Sequence, residues 1–171
     1  MRRGITVTVA AALVATLAVA GIALAKTING TQGDDGLTGT EAADKINGKN
    51  GEDTISGLLG DDDLRGNKDD DVLSGDEGND RLRGGGGGDS LDGGTENDDL
   101  DGGKAIDELS GGDGDDAIKS RGDGNKADNV SCGEGTDSVK ADKKDVVAED
   151  CEEVDTTGKP PKPSEEVPVS A

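Results

Sequence analysis

An apolar residue that recurs every nine positions is the feature that most constrains this chain. Leu or Ile fills ten consecutive positions of this register without a slip, and Ile28 extends it backwards. The ten positions are Leu37, Ile46, Ile55, Leu64, Leu73, Leu82, Leu91, Leu100, Leu109 and Ile118. A fixed short period indicates a repeat architecture, in which units too small to fold alone stack on one another.

Aspartate and glycine hold fixed places around each apolar residue. An aspartate lies two residues before every one of the ten: Asp35, Asp44, Asp53, Asp62, Asp71, Asp80, Asp89, Asp98, Asp107 and Asp116. A glycine lies two residues after nine of them, from Gly39 to Gly111, and only Ser120 breaks this column. The unit is therefore a glycine-led turn of six residues that ends in Asp, followed by a strand x-(Leu/Ile)-x with one inward side chain.

The turns are not equally well formed. Glycine permits positive φ and leaves carbonyl oxygens uncovered, and it fills the fourth loop position in six turns, at 33, 51, 60, 78, 87 and 114. Ala42, Asp69, Glu96 and Ala105 fill that position in the other four. We therefore expect the turns to differ in how well they can bind a ligand.

A carboxylate and several free carbonyls form a hard, oxygen-only donor set. Such a set suits Ca²⁺, which takes six to eight oxygen ligands, and does not suit Zn²⁺. The chain has no histidine, which argues further against a transition-metal site.

These turns resemble the RTX, or hemolysin-type calcium-binding, family, whose signature is GGxGxDxUx. The segment GGDGDDAIK at 111–119 matches every position, and the resemblance covers about residues 28–119. It implies an all-β fold, a parallel β-roll or β-solenoid in which two nonapeptides make one turn. It also implies several Ca²⁺ ions between turns stacked on the same side, bound by backbone carbonyls and by the ten aspartates Asp35, Asp44, Asp53, Asp62, Asp71, Asp80, Asp89, Asp98, Asp107 and Asp116. Stacked loops would then lie two repeats apart, so we expect ion affinity to vary, with the best sites between the loops ending at Asp35 and Asp53 and between those ending at Asp62 and Asp80.

Composition restricts both the fold and the function. The chain has no aromatic residue and 39 acidic against 18 basic residues, so it cannot build a large apolar core and should repel itself until cations bind. Without His or Tyr, and with carboxylates in every repeat, no single site is marked as catalytic, and we expect no enzyme. The acidic surface also argues against nucleic-acid binding.

The N-terminal residues 1–25 have the layout of a secretory signal peptide. Arg2 and Arg3 precede an apolar run at 5–24, and Ala23-Leu24-Ala25 suits signal-peptidase cleavage. An uncleaved anchor helix and a twin-arginine signal are the alternatives. Cleavage would leave a secreted bacterial protein without a membrane span, with a formal charge of 16 − 39 = −23.

The C-terminal part carries weaker repeats and both cysteines. After the β-roll at 26–119, D-x-V motifs return at Asp128 and Asp137, and we expect 120–155 to form a cap linked by a Cys132–Cys151 disulfide. All four prolines lie in 156–171, which should be a flexible tail.

The sequence thus favours a non-catalytic calcium-binding protein that folds on binding its ions. The alternative is a calcium-ordered adhesion module that recognises a cell envelope or a polysaccharide. The residues that follow the apolar positions form an irregular, charged series, from Thr38 and Asn47 to Ser110 and Lys119, which argues against ice binding.

Overall fold

The computed structural model describes residues 24–120 and 126–156. The predicted signal peptide, apart from its last two residues, and the proline-rich tail after residue 156 lie outside the described residues. Within the described ranges the chain is all β, and none of it forms a helix that could cross a membrane.

Fifteen short strands follow one another along the chain. Their bounds are β1 Thr27–Asn29, β2 Gly36–Thr38, β3 Lys45–Lys49, β4 Thr54–Leu59, β5 Asp63–Lys68, β6 Val72–Glu77, β7 Arg81–Gly86, β8 Ser90–Thr95, β9 Asp99–Lys104, β10 Glu108–Asp113, β11 Ala117–Lys119, β12 Asn129–Glu134, β13 Ser138–Lys140, β14 Val146–Val147 and β15 Glu153–Asp155.

The strands form two parallel sheets of a β-solenoid. The odd-numbered strands make an eight-stranded sheet, here the first sheet, and the even-numbered strands make a seven-stranded second sheet. Because the chain alternates between the sheets, two repeats complete each of about seven turns. The register follows, since Leu64 pairs with Leu82 and Leu73 pairs with Leu91, each eighteen residues along. The predicted parallel β-roll is confirmed.

The core is a thin layer of one apolar side chain per strand, enclosed between the two sheets. From Ile46 to Ile118 each of these side chains is at most 1% exposed, and Val130 and Val139 continue the layer. Ile28 and Leu37, at the N-terminal end, are only partly buried. A core of this size stabilises each turn mainly through its neighbours.

Most strands are longer than the sequence predicts. Eight of the nine strands from β4 to β12 span six residues, because the parallel ladder continues past the leading glycine into the turn. Glycine makes this possible: a Cβ built at Gly75 would lie 2.4 Å from the carbonyl oxygen of Gly93 in the next turn. The chain therefore turns more tightly than a three-residue strand and a six-residue loop would suggest.

The weaker C-terminal repeats continue both sheets. β12 and β13 pair with β10 and β11 across a step of 21 residues in place of eighteen. β14 and β15 then add to the same two sheets. The predicted Cys132–Cys151 disulfide is present, with Cα atoms 5.2 Å apart. Cys132 is fully buried and takes the place of the leading glycine in its loop.

Candidate metal centre

The repeat aspartates form two rows, one on each side of the solenoid. Row one precedes the odd-numbered strands, and row two precedes the even-numbered strands. Of the ten predicted ligands, row one holds Asp44, Asp62, Asp80, Asp98 and Asp116, and row two holds Asp35, Asp53, Asp71, Asp89 and Asp107. Neighbours within a row are thus eighteen residues apart, and Asp71 faces the opposite side from Asp62 and Asp80.

One carboxylate oxygen of each aspartate links two turns. Oδ1 of Asp80 accepts a hydrogen bond of 2.7 Å from the backbone N–H of Asp62, and Oδ1 of Asp71 accepts one of 2.9 Å from Asp53. The same bond recurs along both rows, from Asp35 to the C-terminal repeats. These bonds fix each carboxylate at the junction between consecutive loops.

In most row aspartates the second carboxylate oxygen is buried and has no hydrogen-bond donor, although Oδ2 of Asp35 and of Asp44 accepts from the N–H of Thr31 and of Thr40. The absence of a donor holds for Oδ2 of Asp53, Asp62, Asp71, Asp80, Asp89, Asp98, Asp116 and Asp137. A buried carboxylate oxygen without a partner is unfavourable unless a proton or a cation compensates it. Each row thus repeats a buried, negatively charged oxygen that no protein group among the described residues compensates.

Backbone carbonyl oxygens lie beside these atoms. A Cβ built at Gly57 would lie 2.1 Å from Oδ2 of Asp62 and 2.8 Å from the carbonyl oxygen of Gly75. The equivalent point at Gly84 is 2.2 Å from Oδ2 of Asp89 and 2.6 Å from the carbonyl oxygen of Gly102. Because the leading glycine has no side chain, Oδ2 of its own loop and a carbonyl oxygen of the next turn can both lie close to its Cα.

Burial raises the pKa of the row carboxylates. Desolvation is the main cause at Asp62, Asp71, Asp80 and Asp116, whose pKa values rise to about 6, and at Asp89 and Asp98, whose pKa values rise to about 7. The hydrogen bond from the backbone opposes this rise in pKa, and neighbouring carboxylates add to it. The folded rows therefore favour bound protons or other cations.

From Gly48 onward, the loops use left-handed backbone at their second and fourth positions. The fourth position has positive φ at Gly51, Gly60 and Gly78, and also at the non-glycine residues Glu96 (φ 73°) and Ala105 (φ 89°). The second position has positive φ as well, as at Leu58 (φ 84°). Non-glycine residues in this region are strained by roughly 1–2 kcal/mol. Such residues occur both in loops with glycine at the fourth position, as at Leu58, and in loops without it, as at Glu96 and Ala105, so backbone strain does not separate the two groups of loops.

A second hydrogen-bonded ladder lies outside the first, at the fifth loop position. Oδ1 of Asp61 accepts from the N–H of Asn79, and Oδ1 of Asp70 accepts from the N–H of Gly88. Here the side chain accepts from the later turn, whereas each row aspartate accepts from the earlier turn. The two ladders therefore hold consecutive loops together from both directions.

Side chains alone do not surround an ion in these loops. Among the described residues, three potential metal-binding side chains converge only at Cys132, Asp150 and Cys151, where both sulfurs belong to the disulfide. A cation in the rows would need the loop carbonyl oxygens as well as the carboxylates. This oxygen-rich set is the kind that Ca²⁺ prefers.

Four acidic residues beyond the ten predicted ligands extend the rows. Asp137 and Asp128 accept backbone hydrogen bonds from Asp116 and Asp107. Asp145 and Glu152 then accept from Asp128 and Asp137. The D-x-V motifs at 128 and 137 indicated further repeats. The twelve-residue step from Ile118 to Val130, in place of nine, concealed that their aspartates continue the two rows.

A solenoid with glycine-led turns, two rows of buried aspartates and adjacent carbonyl oxygens is the architecture of a calcium-binding β-roll. The family model of the RTX calcium-binding nonapeptide repeat (4 copies) matches residues 27–55, 56–91 and 92–126, more than half of the chain. The chain belongs to this family of calcium-binding repeat proteins. No curated protein and no solved structure matches it.

Proposed function

We propose that the chain is an exported, non-catalytic protein that binds several Ca²⁺ ions along its two aspartate rows and folds as it binds them. The observation that carries this proposal is the repeated buried Oδ2 atom that has no hydrogen-bond donor. Such an atom is compensated by a proton at low pH or by a cation at neutral pH. Family membership identifies that cation as calcium.

The proposed ligands are the ten repeat aspartates and the carbonyl oxygens beside them. Asp128 and Asp137 extend this set, because they occupy the same place in the same two ladders. Calcium, when bound, supplies positive charge to an array of oxygen ligands. The aspartates hold this array in place, since Oδ1 stays bonded to the backbone while Oδ2 packs against the leading glycine, close to a carbonyl oxygen of the next turn.

Coupling to folding follows from charge and core size. The chain places 39 acidic residues around a layer of one apolar side chain per strand. At neutral pH without cations, repulsion among the rows opposes stacking, and the core contributes little against it. We therefore infer that ion binding and strand stacking occur together.

Far-UV circular dichroism of the metal-free protein tests this coupling. Adding Ca²⁺ should convert a coil spectrum to a β spectrum, and chelator should reverse the change. Mg²⁺ should act weakly, because it demands octahedral geometry and keeps its waters. A metal-free chain already rich in β structure at neutral pH would contradict the proposal.

Export and domain organisation belong to the same proposal. The basic pair Arg2-Arg3, the apolar run and Ala23-Leu24-Ala25 support a signal peptide at 1–25, followed by the roll at 26–119, the disulfide-linked end at 120–155 and the tail at 156–171. Intact mass and N-terminal sequencing of the exported protein should give Lys26 as the first residue. Recovery of the uncleaved chain in the membrane would favour the anchor-helix alternative.

The absence of catalysis is inferred from the residues that the chain offers. It has no histidine and no tyrosine, and its carboxylates recur in every loop in place of converging at one site. The alternative role, a calcium-ordered module that recognises an envelope or a polysaccharide, is supported by a separate surface feature.

A further inference from the structure

A basic depression interrupts the otherwise acidic surface of the solenoid. It measures about 490 Å³ and lies where β5, β7 and β9 of the first sheet run into their loops. Its walls are Arg65, Lys68, Arg83 and Lys104, its floor includes glycines 84–86, and no acidic residue lines it. A second depression contrasts with it, since Asp61, Asp80 and Asp98 are among the residues that line that one.

Strand register brings these four cations together. Arg65 pairs with Arg83 on neighbouring strands, so the two guanidinium groups extend from adjacent positions. Gly86 lies in register between Lys68 and Lys104 and has no side chain to fill the gap. Because parallel strands lie about 4.8 Å apart, the two lysine backbones are separated by roughly 10 Å across this notch.

Three of the four cations are not neutralised by the protein itself. Lys45, Arg65, Arg81 and Lys119 on the same sheet each form an ion pair with an aspartate. Arg83, Lys68 and Lys104 form no ion pair with any residue that the structure describes. In a chain with more than twice as many acidic as basic residues, this cluster is available to an external anion.

We propose that this depression binds an acidic polysaccharide through its carboxylate or sulfate groups. Arg83 is suited to a forked contact with one such group, and Lys68 and Lys104 are suited to groups spaced along a chain. The depression is open and shallow enough for a polymer to cross it, and the glycine floor allows close approach.

Charge spacing favours a polysaccharide over a nucleic acid. Asp63 and Asp99 begin β5 and β9, and Asp101 is in register with Arg83 on the neighbouring strand, so a polymer with closely spaced phosphates would meet repulsion beside the cations. The chain also has no aromatic residue on which bases could stack. A polysaccharide carries its charges farther apart and can place neutral hydroxyl groups near these carboxylates.

We expect polysaccharide binding to require calcium, and this expectation rests on the proposed function, in which calcium drives folding. The four cations lie between residues 65 and 104 and meet only when three strands of one sheet have stacked. The depression itself requires only that the solenoid is folded, whatever drives its folding.

Titration of the full-length, calcium-loaded protein with a short fluorescent chondroitin sulfate oligosaccharide tests the proposal. The R83Q and K104Q substitutions should each weaken binding about tenfold, as loss of a charge-assisted contact predicts. Gly86→Glu should abolish binding by filling the notch with a carboxylate. That position accepts a side chain, since the nearest atom to a Cβ there is 3.9 Å away.

Arg81→Gln is the matched control. It removes the same charge from the same strand, two residues from Arg83, but Arg81 is engaged with Asp99 and does not line the depression. Binding by this variant should stay within about twofold of the wild type. Equal weakening by Arg81→Gln and Arg83→Gln would show a diffuse charge effect and overturn the assignment.

Two further comparisons separate the possible failures. Tighter binding of an oligothymidylate than of the oligosaccharide would overturn the choice of polysaccharide. Circular dichroism of each sample reports folding independently: a folded wild type that does not bind the oligosaccharide refutes the basic site and leaves calcium-driven folding intact. A chain that folds and binds the oligosaccharide without calcium refutes calcium-driven folding and supports the basic site.

Discussion

The backbone N–H of Asp62 donates a hydrogen bond of 2.7 Å to Oδ1 of Asp80, eighteen residues along the chain. Oδ2 of the same Asp80 carboxylate is buried without a donor. The two oxygens of this side chain therefore differ in role: Oδ1 joins two turns, and Oδ2 is available to bind a cation. This division can be tested by substitutions that alter one oxygen and spare the other.

Asp80→Asn should impair calcium binding without breaking the ladder. The amide can still accept from the N–H of Asp62 through its oxygen, but the charged Oδ2 is replaced by an NH₂ group. We expect calorimetry to show fewer bound ions or a loss of about tenfold in affinity, with reduced cooperativity. Glu77→Gln is the control, since Glu77 is exposed at the third loop position. Equal effects from the two variants would indicate that the rows are not the ligands.

Gly57→Ala should prevent tight calcium binding by displacing a row carboxylate. Its Cβ would lie 2.1 Å from Oδ2 of Asp62, so the carboxylate or the loop must move. Gly86→Ala adds the same methyl group where the nearest atom is 3.9 Å away, and it should be nearly neutral. The midpoint of a calcium titration followed by circular dichroism distinguishes them. Similar midpoints would mean that calcium binding does not depend on the position of the Asp62 carboxylate.

Ala105→Gly should stabilise the calcium-loaded roll. Ala105 has φ 89°, a conformation that is unfavourable for a residue with a Cβ. The relief of strain exceeds the entropy that glycine loses on folding, so a gain of about 0.5–1 kcal/mol is expected in the free energy of unfolding. Denaturant unfolding at saturating calcium measures it. Destabilisation by this substitution would show that the loop is not strained at this point.

Acid should promote β structure in the metal-free chain. Burial raises the pKa of Asp89 and Asp98 to about 7 from an ordinary value near 3.8, so the folded state binds protons more tightly than the unfolded state. Stability from this source is fully present below pH 3.8 and is lost as pH rises through about 7. Circular dichroism between pH 8 and pH 5 should therefore show β structure increasing on acidification. A double Asp89→Asn, Asp98→Asn variant should respond less, and β content that falls on acidification would contradict the prediction.

Reduction of the Cys132–Cys151 disulfide should loosen the C-terminal turns first. The bond closes a segment with a sequence separation of 19, for which loop entropy predicts about 3 kcal/mol of stabilisation. Hydrogen exchange at saturating calcium should show faster exchange in β12–β15 after reduction, with β4–β8 unchanged. Uniform acceleration along the chain would instead indicate that the roll unfolds as one unit.

The sequence predicts the architecture because the constraint is periodic. Spacing alone identified Leu64 and Leu82 as core residues, and the two repeats per turn that the family resemblance implies assigned Asp62 and Asp80 to the same side. Spacing could not predict the second ladder at Asp61, which depends on the direction of backbone N–H groups.

Spacing along the chain also conceals how side chains are divided between the sheets. The irregular outward series separates by sheet. The second sheet carries Thr38, Ser56, Ser74, Asp92 and Ser110, and the first carries Asn47, Arg65, Arg83, Asp101 and Lys119. The argument against ice binding was therefore made on a mixture of two faces. The basic depression was missed for the same reason, since Lys68 and Lys104 are neighbours only across Gly86.

Neutral-looking loop positions also differ in ways that the repeat pattern does not show. Asp76 and Glu77 both lie where the repeat requires no carboxylate. Yet Asp76 accepts hydrogen bonds from Ser56 and Ser74 and from the N–H of Leu58, whereas Glu77 is exposed. Only Glu77 is therefore suitable as a control position.

Successive nine-residue repeats alternate between the two sides of the solenoid, so the side of each aspartate depends on whether the number of repeats before it is odd or even. Removing residues 63–71 would send every later aspartate to the opposite side, so that Asp80 would exchange rows with Asp89. Removing residues 63–80 would shorten the roll by one full turn and leave each remaining carboxylate on its own side. Viable changes in length therefore come in pairs of repeats. Removing the single repeat 72–80, for example, would place Arg83 and Lys104 on the opposite sheet from Arg65 and Lys68.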